Sequence, residues 1–182
     1  MASENKREGY VVPVAREFHH NIFEIRREED FEDLLQDLNT AGPQDVIYLH
    51  INSPGGRLDL SCQIITAIRN CQATVIGSAE GEVYSGGSLI FFACHGFVIS
   101  DLADFMLHDA AGGQYGKVND NLSAAQASKD YLRRVYYSVY SGFFSDEEIE
   151  SVLNGKDIWL APEEVELRIK KVVEKNEDEN ED

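Results

Sequence analysis

Cysteine is scarce in this 182-residue chain. Cys62, Cys71 and Cys94 are an odd number without C-x-x-C spacing, which argues against a disulfide framework or a zinc site. They are expected to be small core residues. Long apolar runs are missing too. Stretches such as Leu89 to Cys94 fall far short of the roughly 18 residues of a membrane span, and the opening MASENKREGY holds no apolar segment of signal-peptide length. The expected compartment is the cytoplasm, with no membrane partner. Basic clusters are the third absence. Sixteen Lys and Arg stand against 33 Asp and Glu, for a formal net charge of −17, and the longest basic runs are pairs such as Arg26-Arg27, Arg133-Arg134 and Lys170-Lys171. Such a surface repels phosphate backbones and argues against nucleic acid as a partner.

What is present suffices for a core. At 43% hydrophobic residues, one domain of this length buries roughly 70% of the surface its unfolded chain exposes. The stretch to about residue 22, ending in Phe18-His19-His20-Asn21, shows no sustained period and reads as a loop or arm. Asp30 is the expected N-cap of an amphipathic helix carrying Phe31, Leu34, Leu35 and Leu38, stopped by Gly42-Pro43. The run Val46-Ile47-Tyr48-Leu49-His50-Ile51 reads as a buried parallel strand that breaks at Asn52-Ser53-Pro54-Gly55-Gly56. A helix over 58–70, a strand over 74–79, a helix over 86–94 and a strand over 97–100 continue a β-α alternation, which predicts an α/β fold with a mostly parallel sheet. A short strand near 105–108 and a long helix over 122–140 follow, the helix striped with Leu132, Val135, Tyr136, Val139 and Tyr140. Ser145 and Glu148 form a capping box for another helix, 157–160 is a candidate strand, and Pro162 suits the first turn of a last helix. From Glu174 the tail has six acids, one lysine and no apolar residue, the composition of a disordered segment.

Two turns follow the carboxyl ends of strands, where open α/β sheets form their ligand crevices. In Asn52-Ser53-Pro54-Gly55-Gly56 the paired glycines either satisfy a tight turn or let backbone N–H groups approach a ligand. In Tyr84-Ser85-Gly86-Gly87, Ser85 stands at a strand-to-helix junction. It is either an N-cap or a nucleophile whose following N–H faces a developing oxyanion. A serine nucleophile needs a base. His95 lies nine residues past Gly86, roughly 13 Å along a helix, and is out of reach. His19 and His20 fall in the arm, and His50 sits in a strand whose neighbours suggest burial. His108 ends a strand before a glycine turn and is the candidate that can face the crevice. Among acids, Asp109 adjoins His108 and points away on an extended chain, whereas Asp157 is permissively placed at the start of a strand. The segment Ala111 to Val118 approaches a phosphate-binding loop but has Ala for the first glycine and Val for the hydroxyl. The G-x-S-x-G elbow is not met, since Val83 replaces its first glycine.

Ile51-Asn52-Ser53-Pro54-Gly55-Gly56, Tyr84-Ser85-Gly86-Gly87, Met106-Leu107-His108 and Asp157 followed by Ala161-Pro162-Glu163 occur together in this order. In these motifs, from about Val46 to Glu166, the chain resembles the proteolytic subunit family of ATP-dependent Clp proteases, especially its short phage-type members. The resemblance implies a crotonase/Clp-protease-like spiral of β-β-α units, with a strand over Gly112–Gly116 and the long helix as a protruding handle. It divides the chain into an arm and first helix (1–44), a peptidase domain (45–173) and the acidic tail (174–182). It implies Ser85 as nucleophile, His108 as general base and acid, Asp157 as the orienting acid, and the N–H groups of Gly56 and Gly86 as the oxyanion hole. No cofactor and no metal are implied. The implied partners are further copies in two stacked heptameric rings, an AAA+ unfoldase, and unfolded polypeptides, in the cytoplasm or, for a phage-encoded chain, the host's cytoplasm. Two departures stand out: Gly86 where the family often has a larger apolar residue, and Asp109-Ala110 in place of glutamine-proline. Competing readings are a crotonase-like acyl-CoA enzyme, a catalytically silent ring subunit, and a Ser-Lys dyad using Lys117 or Lys156.

Overall fold

Alternation along Val46–Gly56 sends Ile47, Leu49, Ile51, Ser53 and Gly55 inward and their neighbours outward, as a strand with one covered face requires. In the computed structural model, which describes residues 14–110 and 118–180, this segment is β2 of a single sheet. The strands are β1 (Glu17–Ile25), β2, β3 (Thr74–Tyr84), β4 (Gly96–Ile99), β5 (Asp104–Leu107) and β6 (Ile158–Leu160), in the order β1-β2-β3-β5-β6 with β4 also on β3. All pairs are parallel except the antiparallel β5–β6. The α-helices among the described residues are α1 (Glu32–Thr40), α2 (Leu58–Asn70), α3 (Gly86–Phe92), α4 (Val118–Tyr140), α5 (Asp146–Leu153) and α6 (Pro162–Asn180).

β3 serves two partners in succession. Ile76–Ala79 pairs with β4, and Glu82–Tyr84 pairs with β5. Between them the β2–β3 register shifts after Ile51, where the Asn52 side-chain oxygen accepts the Glu82 N–H at 3.0 Å. This bulge turns the ends of β2 and β3 toward the side where α3 begins. All seven residues of α3 are buried, Ser88 among them, and a helix apolar on nearly every side belongs inside a core. Phe91 and Phe92 meet Phe97, Phe105, Tyr140, Phe143 and Phe144 largely edge-on.

Three expectations change. The arm over the first 22 residues is in part β1, parallel to β2 from Glu17↔Val46 onward. It is an edge strand whose exposed outer face carries His19 and Asn21, so its sequence lacks a clean apolar period. Asp30 caps nothing: a 3-10 turn over Glu28–Phe31 precedes α1, Phe31 holds the cap position, and the Asp30 carboxylate binds Arg27 at 2.7 Å. The expected disorder from Glu174 is replaced by the last turns of α6, which continue to Asn180. Val165 is fully buried and Arg168 binds Glu148 at 2.7 Å, so the first turns are anchored and the polar remainder propagates from them. The capping box at Ser145 and Glu148 forms as expected. The expected strand over Gly112–Gly116 and Lys117 lie outside the described residues.

The start of β1 is tied to β2 by one buried carboxylate. Asp45 accepts the Arg16 N–H at 2.9 Å, the Arg16 guanidinium at 2.6 Å and the Gly42 N–H at 2.9 Å. The Arg16 side chain, then these backbone donors, hold the Asp45 carboxyl far below the ordinary carboxylate range. A carboxyl whose folded pKa is depressed stabilises the fold above its unfolded pKa near 4 and loses that contribution as pH falls through the folded value. Asp45→Asn is therefore expected to lower the denaturant midpoint at pH 7, and to show a shallower loss of stability than wild type below about pH 4. Equal acid limbs in the two proteins would refute the tie.

Candidate active site

The parallel register Tyr84↔Met106 sets the ends of β3 and β5 side by side, and the Ser85 N–H donates to the Met106 carbonyl at 2.9 Å. The antiparallel register Leu107↔Ile158 places Asp157 opposite His108, one step past the last pair. Three separate segments thus converge at the carboxyl ends of β3 and β5, where an open α/β sheet forms its crevice. The turn after β2 closes on the same point. Gly55 has φ +95°, and a Cβ there would lie 2.6 Å from Ser85 Cβ and 2.9 Å from Gly86 N. Only glycine permits that approach.

Ser85 has φ 52° and ψ −119°, and is the one non-glycine among the described residues with positive φ. A β-carbon in that region is strained and persists only when its surroundings over-determine it. Ser85 occupies the N-cap position of α3 yet makes no side-chain capping bond. Its hydroxyl bonds no other described residue, which disposes of the simple N-cap reading. The carbonyl of Ser85 accepts the Leu89 N–H at 3.1 Å and the Ser88 hydroxyl at 2.7 Å. The sharp strand-to-helix elbow forms although Val83, fully buried, stands where the G-x-S-x-G pattern has glycine. Gly86 begins α3, so its N–H has no intrahelical acceptor, and a Cβ on Gly86 would lie 3.6 Å from Gly56 N.

Gly56, Ser85, Gly86 and His108 line one cleft of about 680 Å³, walled by Leu89, Leu132 and Tyr136. The other histidines are committed elsewhere. His19 and His50 bond each other at 3.0 Å, and His50 binds Glu80 at 2.5 Å. His50 is half-exposed, not buried, because β2 presents it on the open face of the sheet. His20 binds Asp37 at 2.9 Å, and the His95 ring accepts the Val75 N–H at 3.0 Å. The His108 ring bonds no other described residue. Its main-chain carbonyl accepts the Tyr136 hydroxyl.

Asp157 is exposed and bonds neither His108 nor any other described side chain. Register brings it beside the histidine; side-chain geometry does not yet join them. Asp109 turns back on its own chain and accepts the Ala110 N–H at 2.9 Å. Lys156 is exposed and lines no cleft with Ser85. Nothing in the sequence pattern singles out Tyr136, Tyr140 or Ser88 as residues that build the site. The two tyrosines were legible only as part of an apolar stripe, and their i, i+4 spacing was the available signal.

A model of the Clp protease family matches residues 24–167, extending the resemblance back from Val46 into β1. ATP-dependent Clp protease proteolytic subunit 2 of Pseudomonas aeruginosa is 30% identical over 141 residues, covering 73% of this chain and 68% of the relative. ATP-dependent Clp protease proteolytic subunit 3 of Rhizobium meliloti is 25% identical over 170 residues, covering 84% and 85%. The mixed α/β architecture, a central sheet flanked by helices, is the one the resemblance implied. Matched from the end of β1 through β6, with the glycine turn, the serine elbow and the histidine strand in one cleft, this chain belongs to the Clp protease family.

Proposed function

We propose that the chain is a serine endopeptidase, the proteolytic subunit of an ATP-dependent Clp-like protease that cuts unfolded polypeptides inside an oligomeric chamber in the cytoplasm. The observation that carries this reading is the strained elbow at Ser85, whose hydroxyl caps nothing and which lines one cleft with His108. His108 takes the Ser85 proton as the oxygen attacks the scissile carbonyl, then gives it to the leaving amine, and the acyl-enzyme is hydrolysed by water through the same proton path. Gly56 and Gly86 donate N–H groups to the oxyanion, and Asp157 orients the imidazole. No cofactor or metal enters this chemistry. The relatives are named proteolytic subunits of ATP-dependent proteases, which supports a chamber built with further copies and a separate ATP-driven partner; the stacked heptameric rings and the AAA+ unfoldase are what the family resemblance implies. No helix among the described residues is long and apolar enough to cross a membrane.

An acyl-CoA hydratase or isomerase of the crotonase type needs a carboxylate base. Among the described residues Asp59 is the carboxylate that lines the cleft, but its hydrogen bond to Arg57, at 2.5 Å, lowers its pKa and makes it a poor base. The exposed Asp157, unbonded to His108, favours a second reading: a ring subunit that is silent on its own.

A fluorophosphonate probe discriminates among these. Wild type is expected to label, with Ser85→Ala and His108→Ala inert; label retained in Ser85→Ala overturns the nucleophile. Asp157→Asn is expected to lower kcat on the order of 10⁴-fold, and full peptidase activity in that variant removes Asp157 from the site. Gly86 gives an independent check. A Cβ there would lie 2.5 Å from Ser61 Oγ and 3.2 Å from Ile25 Cδ1, which also explains why no larger residue stands after this serine. Gly86→Ala is expected to lower peptidase activity roughly 10²-fold by displacing an oxyanion donor, and Ser61→Ala is expected to restore part of it. No rescue by Ser61→Ala would show that the clash is not the cause.

A further inference from the structure

α4 carries two buried tyrosines one helical turn apart, of which Tyr136 lines the cleft. Tyr136 is 3% exposed, and its hydroxyl donates to the main-chain carbonyl of His108. Tyr140 is 1% exposed, and its hydroxyl lies 2.8 Å from Ser88 Oγ, which lies 2.7 Å from the Ser85 carbonyl oxygen. A carbonyl only accepts, so Ser88 spends its single hydrogen on Ser85, and Tyr140 must donate to Ser88. The two rings pack edge to face with centroids 5.2 Å apart. Burial raises both phenols well above their ordinary range, so both remain protonated donors.

We infer that Tyr136 and Tyr140 are positioning residues that set the separation of Ser85 and His108, with α4 acting as the ruler between them. The two residues come from different strands, and the Ser85 N–H to Met106 carbonyl bond is otherwise the direct main-chain link between the elbow and β5. Phenylalanine would fill the same apolar space, so the hydroxyls are not needed for packing. Each hydroxyl ends, directly or through Ser88, on the carbonyl of one of these two residues. A helix is stiff over four residues, about 6 Å of rise, so two anchors on it transmit a fixed spacing to both carbonyls. Tyr137 on the same helix is the internal contrast, since its hydroxyl goes to Glu150 at 3.0 Å.

This inference rests on the peptidase reading, and one experiment separates their failures. Wild type, Tyr136→Phe, Tyr140→Phe, Ser88→Ala and Tyr137→Phe are compared for fluorophosphonate labelling rate, for kcat and KM on a short fluorogenic peptide, and for denaturant midpoint. Tyr136→Phe, Tyr140→Phe and Ser88→Ala are expected to fold and to lose roughly ten- to a hundred-fold in labelling rate and kcat, with KM little changed. Tyr137→Phe should match wild type. Wild type that does not label at Ser85 overturns the peptidase reading itself. Wild type that labels while the three variants keep its rate overturns the ruler, as does a rise in KM at constant kcat, which would make Tyr136 merely a wall of the cleft. If a tyrosine variant does not fold, Ser88→Ala, the smallest change in the link, decides the case by the same criteria.

Discussion

No side chain fits between the Gly55–Gly56 turn and the Ser85–Gly86 junction, where a Cβ on Gly55 would lie 2.6 Å from that of Ser85. The approach requires β2 and β3 to end together, which the register shift around Asn52 provides. It also requires the chain to leave β3 sharply, and that forces Ser85 to positive φ. Such a residue costs about 1–3 kcal/mol. Burying Leu89, Ile90, Phe91 and Phe92 of α3, each at 3% exposure or less, is worth about 1.5–3 kcal/mol per side chain. The core therefore outweighs the strain several-fold, and the elbow is a consequence of how tightly α3 is packed.

The parts of the fold that read cleanly from sequence are those whose pattern is local. Ser145 with Glu148, Pro162, and the apolar run ending at Ile51 each announced an element that formed. β1 was opaque because it is an edge strand whose histidines are stabilised by distant partners, Asp37 for His20 and His50 for His19. α6 was misread past Glu174 because composition reports what a segment does alone, whereas Arg168 on Glu148 and Phe144 anchors this one from inside. At the site, the serine and histidine stood out by their turns. Ser88 and the two tyrosines did not, since a hydroxyl among apolar residues looks like core until its partner is known.

Charge divides along the same lines. Residues 45–142, which carry the glycine turn, Ser85 and His108, hold nine acidic and six basic side chains, whereas residues 143–182 hold fourteen and five. Along the sequence the acidity is concentrated in residues 143–182 and in the first 44 residues, outside the stretch that carries the elbow. Within the cleft the Arg57–Asp59 pair is self-neutralising, so the apolar wall of Leu89, Leu132 and Tyr136 rather than net charge gives the cleft its character. The overall charge bears on solubility and on which surfaces meet other proteins, not on chemistry at Ser85.

The three members of the proposed triad are held with unequal firmness. Ser85 is fixed by strain, by the N–H bond to Met106 and by the Ser88–Tyr140 link. His108 is fixed by β5 and by the Tyr136 hydroxyl on its carbonyl. Asp157 has only the three-residue pairing of β6, at a sheet edge whose Trp159 is 56% exposed. In a low-dielectric site a carboxylate orients an imidazole strongly, but an exposed one is screened by water and is worth little. The proposed nucleophile and base are thus tied to buried elements, and the proposed acid is the member whose contribution depends on water being excluded from the β6 edge.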